Sequence, residues 1–221
     1  MCPARSLGQA TVANANNLSA AAPMSPCPRP IRDPLPLLER AKSDWGGRSD
    51  LWVFAYASLI WRPDFDLTEQ RLARVHGWHR ALKMWSRVNR GTPAVPGLVF
   101  ALLSGGSCHG AVLRVPQHAG ESVLHQLWDR EMVTGVYDPK WLLCATEQGP
   151  VRALTFTLSR GSPNFTGELS AQQYRDIFAS ASGRYGTTLD YASTTLHCLR
   201  SHGIHDLALQ RLLVHAGDPE T

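Results

Sequence analysis

Apolar and aromatic runs of strand length, separated by turn signals, fill the chain between residues 51 and 158. Short runs of this kind, bounded by Gly, Ser or Asn, are typical of β-strands. Two pairs of runs predict hairpins, one turning at Ser104-Gly-Gly-Ser107 and one at Glu147-Gln-Gly-Pro150. The predicted strands are Leu51–Tyr56, one or two strands in Ala73–Trp85 with a break near His76-Gly77, Leu98–Leu103, Cys108–Val115, Trp141–Thr146 and Val151–Leu158.

Helical periodicity marks one internal segment, residues 121–133, and three segments at the end of the chain. Gly135 is placed to cap the internal helix. The terminal helices are predicted over Ser170–Ser182, which opens with a Ser-x-x-Gln capping box, Thr188–His202 and Asp206–His215. Hairpins followed by helices predict an α+β fold with a mostly antiparallel, barrel-like sheet and flanking helices.

The first 32 residues are rich in Ala, Ser, Asn and Pro and contain no acidic residue. Such a segment buries too little apolar surface to offset its ordering entropy. We therefore expect a disordered or loosely structured arm over residues 1–45, with a short helix at Leu35–Lys42, and one domain over residues 46–217. The arm lacks the long apolar core of a signal peptide, and its low acid content leaves a transit peptide as an alternative.

Glu131 is the most informative single residue, because it lies on the apolar face of the predicted internal helix. Three apolar residues precede it at helical spacing: Leu124, Leu127 and Trp128. Desolvation of a carboxylate in such a place raises its pKa towards neutrality, which is what a general base requires. The pattern also fits a structural Glu that pairs with an arginine such as Arg62 or Arg90.

Composition excludes several classes of function. The net charge of +4 comes from scattered Lys and Arg, and without a basic run or helix face we expect no nucleic-acid partner. No apolar run approaches 18 residues, so we expect no membrane span. The five cysteines are widely spaced and odd in number, which indicates free thiols in a reducing compartment.

Metal and serine-nucleophile chemistry also find little support in the sequence. His76 and His79 are three apart on a predicted strand, so they point to opposite faces, and no Cys or carboxylate completes a ligand set. The segment Ala55-Tyr-Ala-Ser-Leu59 has alanines where a nucleophile elbow has glycines. We predict no metal site.

The segment Trp52-Val-Phe-Ala-Tyr-Ala-Ser-Leu-Ile-Trp-Arg-Pro63 resembles the signature of ChaC-type γ-glutamylcyclotransferases, a strand ending in F-G-Y-G-S-L-I-W. The likeness spans roughly residues 50–215 and continues in five further segments: Arg74–Arg80, Arg90–Pro93, Pro96–Leu98, Gly105–Ser107 and Trp128–Tyr137.

This resemblance implies a lyase-type enzyme of the cytoplasm that needs no cofactor and acts on a small molecule. The expected reaction cyclises a γ-glutamyl substrate, with glutathione expected, to 5-oxoproline and Cys-Gly. Glu131 matches the family's catalytic acid/base, and the strand-end loop matches its substrate-binding segment. That segment comprises Val53, Phe54, Ala55, Tyr56, Ala57, Ser58 and Leu59. The resemblance leaves the oligomeric state open.

Three positions depart from the family pattern. Ala55 and Ala57 stand where the family has Gly, which costs strain if the backbone φ is positive and only narrows the pocket if φ is negative. Phe165 stands where the family usually has Tyr, so a hydroxyl that contacts substrate would be missing. These departures leave room for a weakened enzyme, an altered γ-glutamyl substrate, or a silent relative that binds γ-glutamyl or amino-acid-like ligands. A plain interaction domain is a further alternative.

Overall fold

The computed structural model describes residues 32–214. Within that range the chain forms seven strands and six helices. Their bounds are α1 Leu35–Trp45, β1 Leu51–Ala55, α2 Ser58–Trp61, β2 Glu69–Ser86, β3 Gly97–Val115, α3 Gln117–Glu131, β4 Asp138–Cys144, β5 Val151–Thr157, α4 Ala171–Ser180, β6 Ser182–Gly183, β7 Gly186–Thr187, α5 Thr188–Ser201 and α6 Leu207–Val214.

Two long antiparallel strands, β2 and β3, dominate the sheet. The hairpin predicted at Ser104-Gly-Gly-Ser107 is wrong, because β3 runs straight through these residues. His76 pairs with Ser107 and Trp78 with Ser104, so Gly105 and Gly106 together oppose the single Gly77. The two glycines, with φ of 98° and 73°, form a β-bulge in β3. On both sides of this bulge β3 stays paired with β2. The predicted break near His76-Gly77 corresponds to the position in β2 that lies opposite this bulge, where the register shifts but the strand continues.

The five-stranded sheet has the order β2-β3-β1-β5-β4 and curls towards closure. Its pairs are antiparallel except for β1 and β5, which run parallel. The edge strand β2 meets the end of β4 through Arg74 and Ala145, whose backbones exchange two hydrogen bonds of 2.9 Å. The predicted α+β class, the mostly antiparallel, barrel-like sheet and the hairpin at residues 147–150 are confirmed.

The structure describes the last part of the expected arm, residues 32–45, and the division of the chain at residue 45 stays a prediction. The helix predicted near Leu35–Lys42 forms as α1, and Leu38 and Ala41 are buried against the domain. Its last residue, Trp45, packs so closely on α3 that a Cβ at Gly120 would lie 2.3 Å from the indole ring. The composition of the first 32 residues does not indicate this packing, because the apolar residues of α1 begin only at Leu35. Residues 1–31 lie outside the described range.

The helix α3 differs from its prediction at both ends. It begins at Gln117, four residues earlier than expected, and ends at Glu131 with Met132 as its C-cap. Gly135 therefore lies too far along to cap it, and its N–H instead closes a turn to Met132 O at 2.9 Å.

The terminal helices follow the prediction more closely. The capping box of Ser170 and Gln173 is confirmed at the start of α4, which ends at Ser180 because residues 182–183 form β6. The helices predicted from Thr188 and Asp206 are confirmed as α5 and α6, although His215 and Gly217 lie outside the described residues. Across residues 32–214, none of the helices combines the length and apolar character that a bilayer span requires.

Candidate active site

Glu131 is the last residue of α3, on the helix face that the sequence predicted. Leu124, Leu127 and Trp128 on the same face are buried, with exposed fractions of 0, 1 and 5 %. The Glu131 side chain is also enclosed by protein but keeps 19 % of its surface exposed. The carboxylate is thus held in an apolar wall with a narrow opening to solvent.

The partner of Glu131 is its neighbour Arg130, not Arg62 or Arg90 as the sequence left open. Arg130 Nε lies 3.1 Å from Glu131 Oε1. Desolvation raises the pKa of the Glu131 carboxyl above its usual 4.5, and the charge and hydrogen bond of Arg130 oppose that rise. Because desolvation is the larger effect, the carboxylate gains affinity for a proton, as a general base requires.

The segment Tyr56–Leu59 joins the end of β1 to the short helix α2. Ala57 has φ −144° and ψ −124°, and Asp64 is the only residue other than Gly with a positive φ in the described range. Ala55 and Ala57 therefore carry none of the strain that a positive φ would cause. Within residues 32–214, no protein group accepts a hydrogen bond from the N–H of Ala57, Ser58 or Leu59. Three backbone donors are consequently free to bind a ligand oxygen.

Arg130 connects this segment to Glu131. Its Nη2 donates to Ser58 Oγ at 3.1 Å, and its Nη1 donates to Asp64 Oδ2 at 2.7 Å and to Arg62 O at 2.6 Å. A planar guanidinium that contacts four groups fixes their relative positions. The Arg130 side chain therefore fixes the position of the Glu131 carboxylate relative to the backbone N–H donors of the Tyr56–Leu59 segment.

Three buried tyrosines surround the carboxylate. The Tyr56 hydroxyl donates to Phe156 O at 3.0 Å, and that of Tyr137 donates to Phe100 O at 3.2 Å. Burial, followed by the charge of Glu131, raises the pKa of Tyr191 to about 12, and the same charge contributes to the raised pKa of the other two. All three hydroxyls are neutral at physiological pH, and they lie close enough to Glu131 for its charge to raise their pKa.

A cationic group lies behind these tyrosines. The Arg90 guanidinium sits 4.8 Å from the centre of the Tyr191 ring and donates to Tyr185 O. Burial lowers the pKa of Arg90, and the charge of Arg62 lowers it further, so the two guanidiniums are near each other. Arg62 itself stacks on Tyr185 at 5.2 Å. Two guanidiniums thus lie on the side of Tyr191, where Asp64 pairs with Arg62 at 3.1 Å and the charge of Asp190 acts on Arg90.

The other predicted site residues fall into two groups. Val53, Phe54, Ala55 and Leu59 are 0–7 % exposed, and their side chains belong to the core. Only their backbone groups are suited to contact a ligand. Phe165 forms an isolated β-bridge to Met84 in β2, and its ring centre lies 5.6 Å from the Arg160 guanidinium.

Sequence reasoning assigned no role to two members of this arrangement, Tyr137 and Tyr191. Tyr137 follows Glu131 by six residues, so its place in the same segment was a usable signal. Tyr191 comes from a distant part of the chain, and no local pattern indicates that it lies near Glu131. Among the residues that the structure describes, His, Cys, Asp and Glu form no cluster of three suited to a metal ion.

A cavity of about 370 Å³ lies elsewhere, between β2, α4 and α6. Its lining includes Arg80, Tyr174, Asp206 and Leu209, but not Glu131. We place the candidate site at Glu131 because a carboxylate of raised pKa, free backbone donors and neutral hydroxyls converge there.

Comparison with known proteins shows the family of this chain. A model of the ChaC-like protein family matches residues 51–218. The chain is 36% identical over 165 residues to the glutathione-specific gamma-glutamylcyclotransferase of Escherichia coli (strain K12), covering 74% of this chain and 71% of that one. It is 29% identical over 169 residues to glutathione-specific gamma-glutamylcyclotransferase 1 of Homo sapiens, covering 74% and 76%.

A solved structure shares the fold. The crystal structure of a yeast gamma-glutamyl cyclotransferase specific to glutathione superimposes with a TM-score of 0.71 at 20% identity, covering 77% of this chain and 96% of that chain. The family match spans all of the described sheet and both the Tyr56–Leu59 segment and Glu131. This chain belongs to the ChaC-like protein family.

Proposed function

We propose that this protein is a γ-glutamylcyclotransferase that converts glutathione to 5-oxoproline and Cys-Gly. The observation that carries the proposal is Glu131, a carboxylate in an apolar wall with a raised pKa, directly linked to a segment of free backbone donors. Relatives named as glutathione-specific enzymes support the choice of substrate.

The chemistry asks for one base and no cofactor. The α-ammonium group of the substrate loses a proton to Glu131, and the free amine attacks the γ-carbonyl carbon of the same glutamyl group. A C–N bond forms in the five-membered ring, and the C–N bond to cysteine breaks. Glu131 returns the proton to the departing nitrogen. The ring nitrogen then loses its second surplus proton to the amine of Cys-Gly, so that 5-oxoproline keeps one N–H and Cys-Gly leaves as an ammonium group. Holding amine and carbonyl together can contribute on the order of 7–11 kcal/mol to such a step.

The Tyr56–Leu59 segment supplies the second requirement, donors for oxygen. The N–H groups of Ala57, Ser58 and Leu59 have no acceptor among the described residues, so a substrate carboxylate or the developing oxyanion is the natural occupant. The neutral hydroxyl of Tyr191 adds a side-chain donor near the base. Phe165 offers no hydroxyl, and we propose that its side chain contributes apolar packing and no hydrogen bond to substrate.

Substrate charge agrees with the electrostatics of this region. Glutathione carries two carboxylates, and the guanidiniums of Arg90 and Arg62 lie on the side of Tyr191. We propose that these arginines attract the substrate's anionic end. The remaining parts of the proposal are a cytoplasmic location, supported by the free thiols of Cys108, Cys144 and Cys198, and a dispensable segment over residues 1–31.

Incubation of the purified protein with glutathione, followed by quantification of 5-oxoproline and Cys-Gly, tests the proposal. We expect both products in equal amounts, with free γ-glutamyl amino acids as poorer substrates. If titration calorimetry detects glutathione binding but neither product forms, the protein is a silent binding relative. If it detects no binding either, the protein is an interaction domain and the proposal is wrong.

A further inference from the structure

The most deeply buried ion pair on the sheet lies beside the proposed substrate segment and takes no part in the chemistry above. Arg80 on β2 donates from Nε and Nη2 to Asp206 Oδ2, at 2.9 and 2.6 Å. The two side chains are only 4 and 14 % exposed. Asp206 precedes α6, and its Oδ1 accepts from Leu209 N at 2.9 Å, which caps that helix.

The remaining nitrogen of Arg80 reaches the substrate segment itself. Its Nη1 donates to Tyr56 O at 2.7 Å and to His109 O at 3.1 Å. The ladder between β1 and β3 ends at the pair Ala55–Ala111, so these two carbonyls lie just beyond the last strand pairing. Arg80 Nη1 therefore supplies hydrogen bonds to these two carbonyls at the point where β1 turns away from β3 and strand pairing stops.

The position of the Tyr56 carbonyl decides where the next N–H points. In a planar trans peptide, C=O and N–H point in opposite directions, so fixing Tyr56 O also fixes the direction of the Ala57 N–H. That N–H is the first of the three free donors. The two strands approach each other closely at this point, since a Cβ at Gly110 would lie 2.3 Å from Ala55 O.

We infer that Arg80 and Asp206 are positioning residues for the reaction. Arg80 aims the Ala57 N–H at the substrate, and Asp206 holds Arg80 in place while tying it to the C-terminal helix α6. This inference rests on the proposed function and extends it: correct docking of α6 becomes a condition for turnover, although no residue of α6 touches the substrate.

The test compares Arg80→Lys with wild type. Lysine keeps the positive charge beside Asp206 but lacks the planar fork that reaches both the carboxylate and Tyr56 O. Since a displacement of about 1 Å can cost about 10²-fold in rate, we expect kcat for glutathione to fall roughly 10–100-fold with a smaller change in KM. Arg114→Lys is the control, because Arg114 also pairs with carboxylates, those of Asp50 and Glu69, but at the opposite end of β1 and at a more exposed position.

Two variants of Asp206 separate positioning from simple stabilisation. Asp206→Asn retains an oxygen acceptor for Arg80, whereas Asp206→Ala retains none. We expect kcat to fall in the order wild type, Asp206→Asn, Asp206→Ala, measured at temperatures where melting curves show all three folded. If the pair only stabilises the fold, the melting temperatures will drop while kcat stays constant, and the inference is wrong.

A backbone measurement keeps this inference separate from the proposed function. The NMR shifts of the Tyr56 carbonyl carbon and the Ala57 amide nitrogen report the Arg80 hydrogen bond without any substrate. If wild type forms 5-oxoproline and Arg80→Lys retains more than half its kcat, the inference fails while the proposed function stands. If wild type is inactive, the proposed function fails, and unchanged shifts in Arg80→Lys would overturn the positioning role as well.

Discussion

Arg130 and Glu131, neighbours at the end of α3, form an ion pair of 3.1 Å between Nε and Oε1. The same arginine donates a hydrogen bond to Ser58 in the Tyr56–Leu59 segment. Glu131 therefore balances two opposed effects: desolvation, which favours its neutral form, and a fixed positive charge, which favours its carboxylate. The account predicts that this balance sets the pH range of turnover.

Replacing Arg130 by Met should move the acidic limb of the pH–rate profile to higher pH. A general base works only when deprotonated, so kcat/KM on the acidic side rises as pH passes the pKa of Glu131 in the free enzyme. Arg130 lowers that pKa, so its loss lets the pKa rise and the limb follows. Arg175→Met on α4 is the control, since Arg175 donates to Gln172. An unmoved limb in Arg130→Met would show that another group controls the profile.

Glu131→Gln should stabilise the fold at neutral and alkaline pH. A carboxyl whose pKa is raised on folding binds its proton more tightly in the folded state, so ionisation lowers stability. This loss is complete above the folded pKa and absent below the unfolded value of about 4.5. Each kcal/mol recovered corresponds to a rise of about 2–4 °C in Tm for a chain of this size.

Melting curves at pH 8 and pH 4 measure the effect. We expect a higher Tm than wild type at pH 8 and equal values at pH 4. A lower Tm at pH 8 would mean that the ion pair with Arg130 outweighs the desolvation of Glu131.

Ala57→Gly should not improve turnover. The φ of −144° at Ala57 leaves no positive-φ strain for glycine to relieve, and the residue is only 7 % exposed. Glycine instead loosens the segment, at a cost of roughly 0.5–1 kcal/mol. We expect a kcat equal to or a few-fold below that of wild type and a slightly lower Tm. A clear gain in kcat would show that the alanine methyl obstructs the substrate.

The helix α1 should contribute measurably to stability. Leu38 is 2 % exposed and Leu35, one turn earlier, is 62 % exposed. Truncation of a buried leucine to alanine costs about 2–5 kcal/mol, so Leu38→Ala should lower the Tm by several degrees, while Leu35→Ala changes it little. Similar melting curves for the two variants would show that α1 does not pack on the domain in solution.

Local patterns predicted the elements of this fold better than their connections. The strand predicted at Leu51–Tyr56, the capping box at Ser170 and the apolar face of α3 all rest on local patterns, and each is confirmed. The bulge at Gly105 and Gly106 resembles a turn in sequence, because glycine pairs serve both purposes and only the partner strand distinguishes them.

The residues of the candidate site also fall into those that a local pattern predicts and those that meet only in the folded chain. Glu131 is visible from helical spacing alone, since its apolar neighbours lie within seven residues. The contact between Arg80 and Asp206 joins residues 126 positions apart, and Tyr191 approaches Glu131 from α5. Such contacts depend on how the sheet curls and where the helices dock, which no periodicity in the sequence specifies.

The central claim is that Glu131 moves the proton in the cyclisation of glutathione, and the turnover of Glu131→Gln tests it most directly. The control is Glu121→Gln on the same helix, where the carboxylate is exposed and pairs with Lys42. General acid–base groups contribute typically about 10²–10⁴-fold, so 5-oxoproline release should fall by that factor in Glu131→Gln and remain at the wild-type rate in Glu121→Gln. A folded Glu131→Gln variant that keeps more than half the wild-type kcat would contradict the account.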